Sequence, residues 1–447
     1  MYHKSQFNHE VLLPGTDNTV CYNFRTRRFA CLNPLQKYIF DMAPFRDVSG
    51  GLLKELHEKG MLTDEDEIGS LRREIASNRD HCRKLHLAVD VNNKCNFACE
   101  YCLETGQLDQ AMLSRETADG IIRFVTYFVE RREIDEIAVV WFGGEPMLDP
   151  ETIEYISQPL IALADAAGIP YSAVIYTNGY LLTPENVRLL ERCRVRSARI
   201  SVDGPEEFND RYRHLKNGQG TYSRIMQNIR ATKTDTIYRI RCNLNRENLS
   251  RYRDLVEELK QLEKESGNRV VCSPERMKVE EYVNEDLRKI ELTPEEYISV
   301  FRTLKDCTVR EEDLDVFALQ RRNTLPCTAC LKYGFSVDVS GNIYKCRWIP
   351  GDRERNIIGN VHDFSGTFRD PESSRVFRNF TLPEKEKCLS CKLLPVCMGR
   401  CVLEACDPRR DHCHRLVNDL DWTVLTLYNK LKEHQCHTGS KEDVYGK

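Results

Sequence analysis

The chain has 447 residues, of which 65 are Lys or Arg and 69 are Asp or Glu, so its formal net charge is -4. That balance excludes a strongly basic nucleic-acid-binding protein and gives no general attraction to an anionic membrane. No apolar run reaches the roughly 18 residues of a membrane span. Residues 1–10 also lack the apolar core of a secretory signal, so we expect a cytoplasmic protein.

Residues 1–80 are predicted to form a small first domain. It combines short strands, turn residues and leucines at helical spacing. Strands are expected at residues 11–13, 20–24 and 29–32, and helices at 34–41 and 52–59. A few strands with two helices indicate a winged-helix-like module. The charged residues 64–83 indicate a helix that connects it to the next domain.

Strands and helices alternate regularly in residues 81–310, which we expect to form the central domain. Six strands are predicted, at residues 85–91, 137–142, 171–177, 198–202, 237–242 and 270–273. The helices between them are predicted at residues 115–131, 151–167, 184–192, 222–231 and 249–264. This alternation is typical of an α/β fold with a parallel sheet or a partial barrel, in which the chemistry lies at the C-terminal ends of the strands.

Cysteine is unusually frequent, with 20 residues, and 11 of these fall into three spaced groups. The later two groups lie in residues 311–447, a turn-rich region for which we predict one helix, at 416–433. Structural disulfides are not expected in a chain without an export signal, so the spacing predicts metal ligands. Metal sites can also stabilise a region that has little apolar core.

The first group follows the first strand of the central domain. Cys95, Cys99 and Cys102 have the spacing CxxxCxxC. Three thiolates in one short loop can hold three irons of a 4Fe–4S cluster. The missing fourth ligand leaves one iron open to a substrate, as in other catalytic metal sites. A zinc site completed by a distant histidine is the alternative that this spacing alone leaves open.

Further motifs follow the later strands, and with them residues 85–273 resemble the radical S-adenosylmethionine (SAM) superfamily. The matching residues are Tyr101, the GGEP motif of Gly143, Gly144, Glu145 and Pro146, then Thr177, Asn178, Ser201, Asp203, Arg213, Asn243 and Leu244. The resemblance implies a partial (β/α)6 TIM-like barrel in which these residues bind SAM. It implies that the GGEP motif holds the amino group, where glycines allow close approach and a carboxylate suits an ammonium. It also implies that Tyr101 packs on adenine and Arg213 pairs with the carboxylate.

The same resemblance implies a reaction. One electron from the reduced cluster breaks the C–S bond of SAM, and the resulting 5′-deoxyadenosyl radical removes hydrogen from an unreactive carbon. The cofactor performs the difficult step, and the protein positions and shields it. A one-electron reductant such as flavodoxin or ferredoxin is therefore an expected partner. The alternative, a non-catalytic iron–sulfur electron-transfer protein, would not need the SAM-site residues.

Cysteines of residues 311–447 resemble those of the SPASM domain, which implies two auxiliary 4Fe–4S clusters and three clusters in all. The implied ligands of the distal cluster are Cys388, Cys391, Cys397 and Cys413, and those of the proximal cluster are Cys327, Cys330, Cys346 and Cys401. Two points stay open: whether Cys327 and Cys330 both bind, and whether Cys406 replaces Cys413. Zinc-ribbon ligands are the alternative interpretation.

SPASM enzymes act on proteins or peptides, so the resemblance implies such a substrate. We expect a maturase of ribosomally made peptides (RiPPs) that installs an oxidative crosslink, either a thioether or a C–C bond. The alternative is an anaerobic sulfatase-maturing enzyme, which forms formylglycine. Those enzymes place an aspartate, as a base, directly after the cysteine that corresponds to Cys346, and that position is Arg347 here.

The N-terminal domain resembles the leader-binding modules of peptide maturases, so a precursor peptide with a leader segment is the expected partner. A free strand edge could bind a leader by strand addition. The alternative is a packing domain that covers the open end of the barrel. No catalytic base is predicted, because His86, Glu275 and Asp338 are candidates without distinguishing context.

Overall fold

A computed structural model describes most of the chain. The described residues are 1–104, 108–279, 285–304, 306–310, 313, 325–348, 354–406 and 413–438. None of the helices among them has both the length and the apolarity that a membrane-spanning helix requires.

The N-terminal domain contains a three-stranded antiparallel sheet and three helices. Its strands are β1 (His3–Lys4), β2 (Asn8–Leu12), β3 (Thr19–Asn23), β4 (Arg28–Leu32) and β5 (Leu62–Thr63). Its helices are α1 (Pro34–Asp41), α2 (Gly51–Glu58) and α3 (Glu67–His81). Strands β2, β3 and β4 pair in that order, and β1 pairs with β5. Asn33 begins α1 with a capping box that includes Gln36, which satisfies two backbone donors at the helix start.

The central domain contains six parallel strands with helices between them. The strands are β6 (Lys84–Asp90), β7 (Glu136–Phe142), β8 (Tyr171–Thr177), β9 (Val195–Ser201), β10 (Ile237–Leu244) and β11 (Val270–Arg276). The helices are α4 (Arg115–Glu130), α5 (Pro150–Ala167), α6 (Pro184–Arg192), α7 (Glu206–Tyr212), α8 (Tyr222–Ala231) and α9 (Tyr252–Ser266). Helices α10 (Glu285–Ile290) and α11 (Pro294–Leu304) follow. The strands pair in chain order, which confirms the alternation predicted from the sequence.

Side chains alternate between two faces of this sheet, as strand geometry requires. Every second residue is buried in the main hydrophobic core with the helices, for example Leu85, Leu87 and Val89 of β6. The intervening residues therefore lie on the opposite, inner face, where His86 and Ala88 are only half-buried. The inner face is thus accessible, and it ends at the C-terminal edge where the motifs lie.

The C-terminal region adds strands to the same sheet, which the sequence analysis missed. Its strands are β12 (Gly334–Val337), β13 (Asn342–Tyr344) and β14 (Gly359–Asn360). Its helices are α12 (Glu372–Asn379), α13 (Glu386–Leu389), α14 (Leu394–Cys397), α15 (Val402–Cys406) and α16 (Leu420–Thr438). Strand β12 pairs in parallel with β6, and β13 and β14 follow antiparallel, so the complete sheet has nine strands.

The N-terminal domain packs on the cysteine-rich region. One face of its sheet contacts α1 and α2, through Ala30 and Leu32 against Phe40. On the other face, Tyr22 packs in one cluster with Leu427 of α16. The first and last parts of the chain are therefore joined by a shared apolar layer.

Candidate active site

The cluster loop, residues 92–102, begins directly after β6. Cys95 and Cys99 are half-buried and pack against the main core. Burial, with smaller contributions from the charges of Glu145, Cys99 and Cys102, raises the pKa of Cys95 to about 12. The three thiols and Glu145 thus share one neighbourhood. Without metal the Cys95 and Cys99 thiols are neutral at pH 7, so cluster binding must release protons.

Two glycines allow the cluster loop to approach the end of β7. Gly143 has φ of +130°, and a Cβ there would lie 2.4 Å from the Asn92 carbonyl oxygen. A Cβ on Gly144 would lie 2.5 Å from the Lys94 carbonyl oxygen. The Gly144 N–H donates to that Asn92 oxygen at 2.9 Å, and the Glu145 N–H donates to Lys94 at 2.8 Å. Both glycines are therefore needed for the contact between the GGEP motif and the cluster loop.

The Glu145 carboxylate connects β7 to β8. It is fully buried. It accepts hydrogen bonds from Thr177 Oγ1 at 2.6 Å, from the Asn178 N–H at 2.6 Å and from the Met147 N–H at 2.9 Å. Burial raises its pKa, and these hydrogen bonds oppose the rise. Asn178 in turn donates to Asn96 of the cluster loop at 2.7 Å. Asn96 was missed in the sequence, where a loop asparagine carries no distinguishing signal.

A second buried network joins the cluster loop to the ends of β9 and β10. Tyr101 donates to Asp203, and Arg213 Nη1 donates to the Tyr101 hydroxyl at 2.8 Å. Asn243 Nδ2 donates to Asp203 at 3.0 Å. Burial opposes the charge of Arg213, but the neighbouring Cys99, Tyr101 and Asp203 raise its pKa well above the usual range. A permanent positive charge therefore lies beside the cluster loop.

Three further predicted residues lie at the same sheet edge with different surroundings. Pro146 begins a short 3-10 turn, Pro146–Leu148. Ser201 is half-buried at the end of β9, next to Arg241 of β10. The Leu244 side chain is fully buried in the main core and does not join the polar network. Asn248, which the sequence analysis missed, orients this edge by donating to the carbonyl oxygens of Asp203 and Asn243 at 2.9 Å each.

The later cysteines form two groups. Burial, with smaller contributions from the charges of Cys327 and Cys401, raises the pKa of Cys346 to about 11, so these three sulfurs lie near one another. Cys330 lies close to Cys327 and Cys406. Backbone N–H groups donate to Cys327 and Cys346, each at 3.4 Å, as they would to thiolate ligands.

The other group contains Cys388, Cys391 and Cys397. Burial is the main cause that raises the pKa of Cys397, and the charges of Cys391 and Cys388 also raise it. Three residues with positive φ, Met398, Gly399 and Arg400, follow Cys397, and the next cysteine, Cys401, lies near Cys327 and Cys346. Cys413 is half-buried, and residues 407–412 before it lie outside the described residues. In the part of the chain that is described, no three His, Cys, Asp or Glu side chains converge on a point suited to a single metal ion.

Arg347 connects the two cysteine-rich parts of the molecule. Its Nη1 lies 2.8 Å from Asp90 at the end of β6, and its Nη2 lies 2.5 Å from Glu104 after the cluster loop. The guanidinium also lies 3.8 Å from the centre of the Phe142 ring. The position after Cys346 therefore holds a half-buried cation between two carboxylates.

The candidate bases differ in their surroundings. Asp338 accepts hydrogen bonds from Ser340, Asn342 and Tyr344 within one hairpin, which is a structural role. His86 lies on the inner face, and burial lowers its pKa to about 4, with smaller contributions from Lys84 and Arg199. It is therefore neutral at pH 7.

Comparison with known proteins identifies the central domain. Residues 89–237 match the family profile of the radical SAM superfamily. These residues form a radical SAM domain. The resemblance predicted from the cysteine and GGEP motifs is thereby confirmed.

Relatives of this radical SAM domain have several activities. The chain is 30% identical over 146 residues to the serine-type anaerobic sulfatase-maturating enzyme of Bacteroides thetaiotaomicron. The matched residues cover 32% of this chain and 35% of that enzyme. It is 25% identical over 337 residues to the AdoMet-dependent heme synthase of Methanosarcina barkeri. This match covers 70% of the chain and 90% of that enzyme. The chain thus matches about a third of the first relative's length.

The fold beyond the radical SAM domain also has a solved counterpart. The structure of anSMEcpe with bound AdoMet has a TM-score of 0.57 with this chain at 17% identity, and covers 78% of this chain and 97% of anSMEcpe. A further structure of anSMEcpe contains AdoMet and the Cp18Cys peptide, with a TM-score of 0.56 at 16% identity, and covers 80% of this chain and 99% of that one. The shared fold therefore extends into the cysteine-rich region.

Proposed function

We propose that this protein is a radical SAM enzyme that modifies a peptide. The observation that carries the proposal is the meeting of the cluster loop with the ends of four parallel strands. Three thiols, one buried carboxylate and one buried guanidinium lie together there. An electron-transfer protein would need the thiols alone.

The residues present fit a 4Fe–4S cluster with SAM. Cys95, Cys99 and Cys102 would bind three irons, and such a cluster with bound SAM supplies one-electron cleavage to a 5′-deoxyadenosyl radical. The Glu145 region would accept the SAM ammonium, and Arg213 would pair with its carboxylate. Burial of both charges strengthens these contacts, because less water competes for them.

The two later cysteine groups are proposed to hold auxiliary clusters. Cys327, Cys330, Cys346 and Cys401 would bind the proximal cluster, with four protein ligands. Cys388, Cys391, Cys397 and Cys413 would bind the distal cluster. The grouping supports this assignment, because Cys401 lies near Cys327 and Cys346.

A peptide substrate is supported by the fold shared with anSMEcpe, which has been solved with a bound peptide. The N-terminal domain would bind the leader of a precursor peptide. A flavodoxin or ferredoxin would supply the electron, in the cytoplasm. We propose an oxidative crosslink, a thioether or a C–C bond, as the product.

Formylglycine formation is the second candidate function. The similarity to the sulfatase-maturating enzyme of Bacteroides thetaiotaomicron favours it. Arg347 argues against it, because that position is paired with Asp90 and Glu104 and provides no free base.

Anaerobic co-expression with short peptides encoded beside this protein, followed by mass spectrometry, tests the proposal. We expect a loss of two hydrogens for each site, with fragmentation that locates a crosslink. A matched culture with Cys95→Ala, Cys99→Ala and Cys102→Ala should leave the peptide unchanged. Formylglycine in a co-expressed sulfatase, with unchanged peptides, would support the second candidate. Modification by the triple variant would contradict the radical SAM assignment.

A further inference from the structure

The inner face of the parallel sheet carries arginines on two adjacent strands. Arg199 lies on β9, and Arg239 and Arg241 lie on β10. Arg199 is directly opposite Arg239, while Arg241 is opposite Ser201. Arg199 and Arg241 are thus diagonal neighbours, with Cα atoms about 8 Å apart from the strand spacing and rise. Their long side chains can reach a common ligand.

The neighbouring residues show which way these arginines face. Ala198 and Ile200 flank Arg199, and Ile240 and Cys242 flank Arg241, and all four are buried in the main core with the helices. Alternation along a strand therefore places the arginines on the opposite, inner face. Both Arg199 and Arg241 are exposed there.

Arg199 and Arg241 form no ion pair with a carboxylate of the described residues. Arg199 donates to the Tyr176 hydroxyl at 2.7 Å, a neutral partner. The Arg241 guanidinium has no hydrogen-bond or ion-pair partner within the described part of the chain. His86, also on this face, is neutral at pH 7, and Asp90 is engaged by Arg347. Neither the Arg199 nor the Arg241 guanidinium therefore has an anionic partner among the described residues, and both are suited to bind an anionic ligand.

The position of the arginines relates them to the proposed chemistry. Arg241 precedes Asn243 by two residues on the same face, so it lies about 7 Å along the strand from the network around Asp203. An anion bound there would lie on the inner face of the sheet, next to the residues that are proposed to bind SAM. Guanidinium groups bind carboxylates with paired hydrogen bonds, which also fixes orientation.

We propose that Arg199 and Arg241 bind a carboxylate of the substrate peptide, from an Asp or Glu side chain near the modified residue. This inference rests on the proposed function and adds a sequence preference to it. The arginines are specificity residues and take no part in SAM cleavage.

Binding of rhodamine-labelled peptides to the reconstituted protein with SAM tests this inference. The probes are Glu-rich, Gln-rich and Lys-rich peptides of equal length in a Gly–Ser background, measured by fluorescence anisotropy. We expect the Glu-rich peptide to bind most tightly, and to bind about tenfold more weakly to R199Q/R241Q, which corresponds to about 1.4 kcal/mol. R241Q is the milder variant, because it breaks no contact of the described residues.

The matched control is R188Q/R224Q, which removes two exposed arginines from α6 and α8 on the outer surface. We expect it to bind the Glu-rich peptide like the parent protein. Equal binding of Glu-rich and Gln-rich peptides, or equal weakening by both double variants, would overturn the inference. Free glutarate that competes at the concentration of the peptide would assign the arginines to a small dicarboxylate, and would also overturn it. SAM cleavage without peptide, measured on the same samples, reports separately on the proposed function.

Discussion

At the scale of single residues, the site depends on close backbone approach and on buried hydrogen bonds. Gly143 and Gly144 lie so near the cluster loop that no side chain fits between them. Glu145 uses both carboxylate oxygens to hold the ends of two strands. The sequence indicated these residues as ligand contacts, but their contacts with the protein were not predictable from it.

Gly143→Ala is expected to displace the cluster loop. The new Cβ would meet the Asn92 oxygen in a backbone conformation that L residues rarely adopt. We expect the variant to lose about four iron atoms, those of one cluster, when iron is measured after anaerobic reconstitution. Gly168→Ala is the control, because it also has positive φ but no atom within 4 Å of the added Cβ. Equal iron content in both variants would contradict the role of close approach.

Glu145→Gln is expected to destabilise the metal-free protein by about 2 kcal/mol, the cost of an unsatisfied buried polar group. One oxygen accepts the Met147 N–H and the other accepts the Asn178 N–H, so an amide NH2 must face one of these donors in either orientation. Chemical denaturation measures the change. Glu151→Gln, at an exposed position, should have the same free energy of unfolding as the parent protein. The same value for Glu145→Gln would contradict the structural role of the buried carboxylate.

At the scale of elements, local patterns were predictable and distant pairings were not. The bounds of β8, α6 and α8 agree with the prediction, because alternation and helix caps are local signals. The pairing of β12 with β6 joins Gly334 to His86, and nothing in either short segment specifies the other. The same holds for the packing of the N-terminal sheet on α16.

Phe7→Ala tests how the N-terminal domain is attached. Phe7 is fully buried and packs with Leu394 and Met398 of the cysteine-rich region, beside Cys388. We expect a loss of about 3–5 kcal/mol in unfolding free energy together with a loss of iron. Phe40→Ala is the control, because Phe40 is equally buried but packs only within the N-terminal domain. If both variants retain the same iron, the domain does not support the distal cluster.

At the scale of the whole molecule, one sheet and one apolar layer join three regions of the chain. The sheet carries the radical SAM domain and continues into the hairpin that precedes Cys346. The apolar layer joins the N-terminal domain to α16. The order of the motifs along the chain predicted that Glu145 and Asp203 lie at one sheet edge, because their motifs follow strands, but it did not indicate Asn96 or Asn248. The assignment of Cys401 to the group of Cys327 and Cys346 came from family resemblance, since spacing alone does not indicate it.

Cys401→Ala tests that assignment. The parent protein is expected to bind about 12 iron atoms, four for each of three clusters. We expect the variant to lose the cluster that Cys327, Cys330 and Cys346 would share, while Cys82→Ala, a half-buried cysteine outside the groups, retains all three. Mössbauer spectroscopy and iron analysis distinguish the cases. Full iron content in Cys401→Ala would remove it from the ligand set.

The most direct test of the central claim is the formation of 5′-deoxyadenosine by the anaerobically reconstituted protein with SAM and dithionite. We expect 5′-deoxyadenosine from the parent protein and from Cys82→Ala, and none from the variant with Cys95, Cys99 and Cys102 all changed to Ala. That triple variant should still retain the iron of the two later cysteine groups. An iron-loaded parent protein that forms no 5′-deoxyadenosine, or a triple variant that forms as much as the parent, would contradict the account.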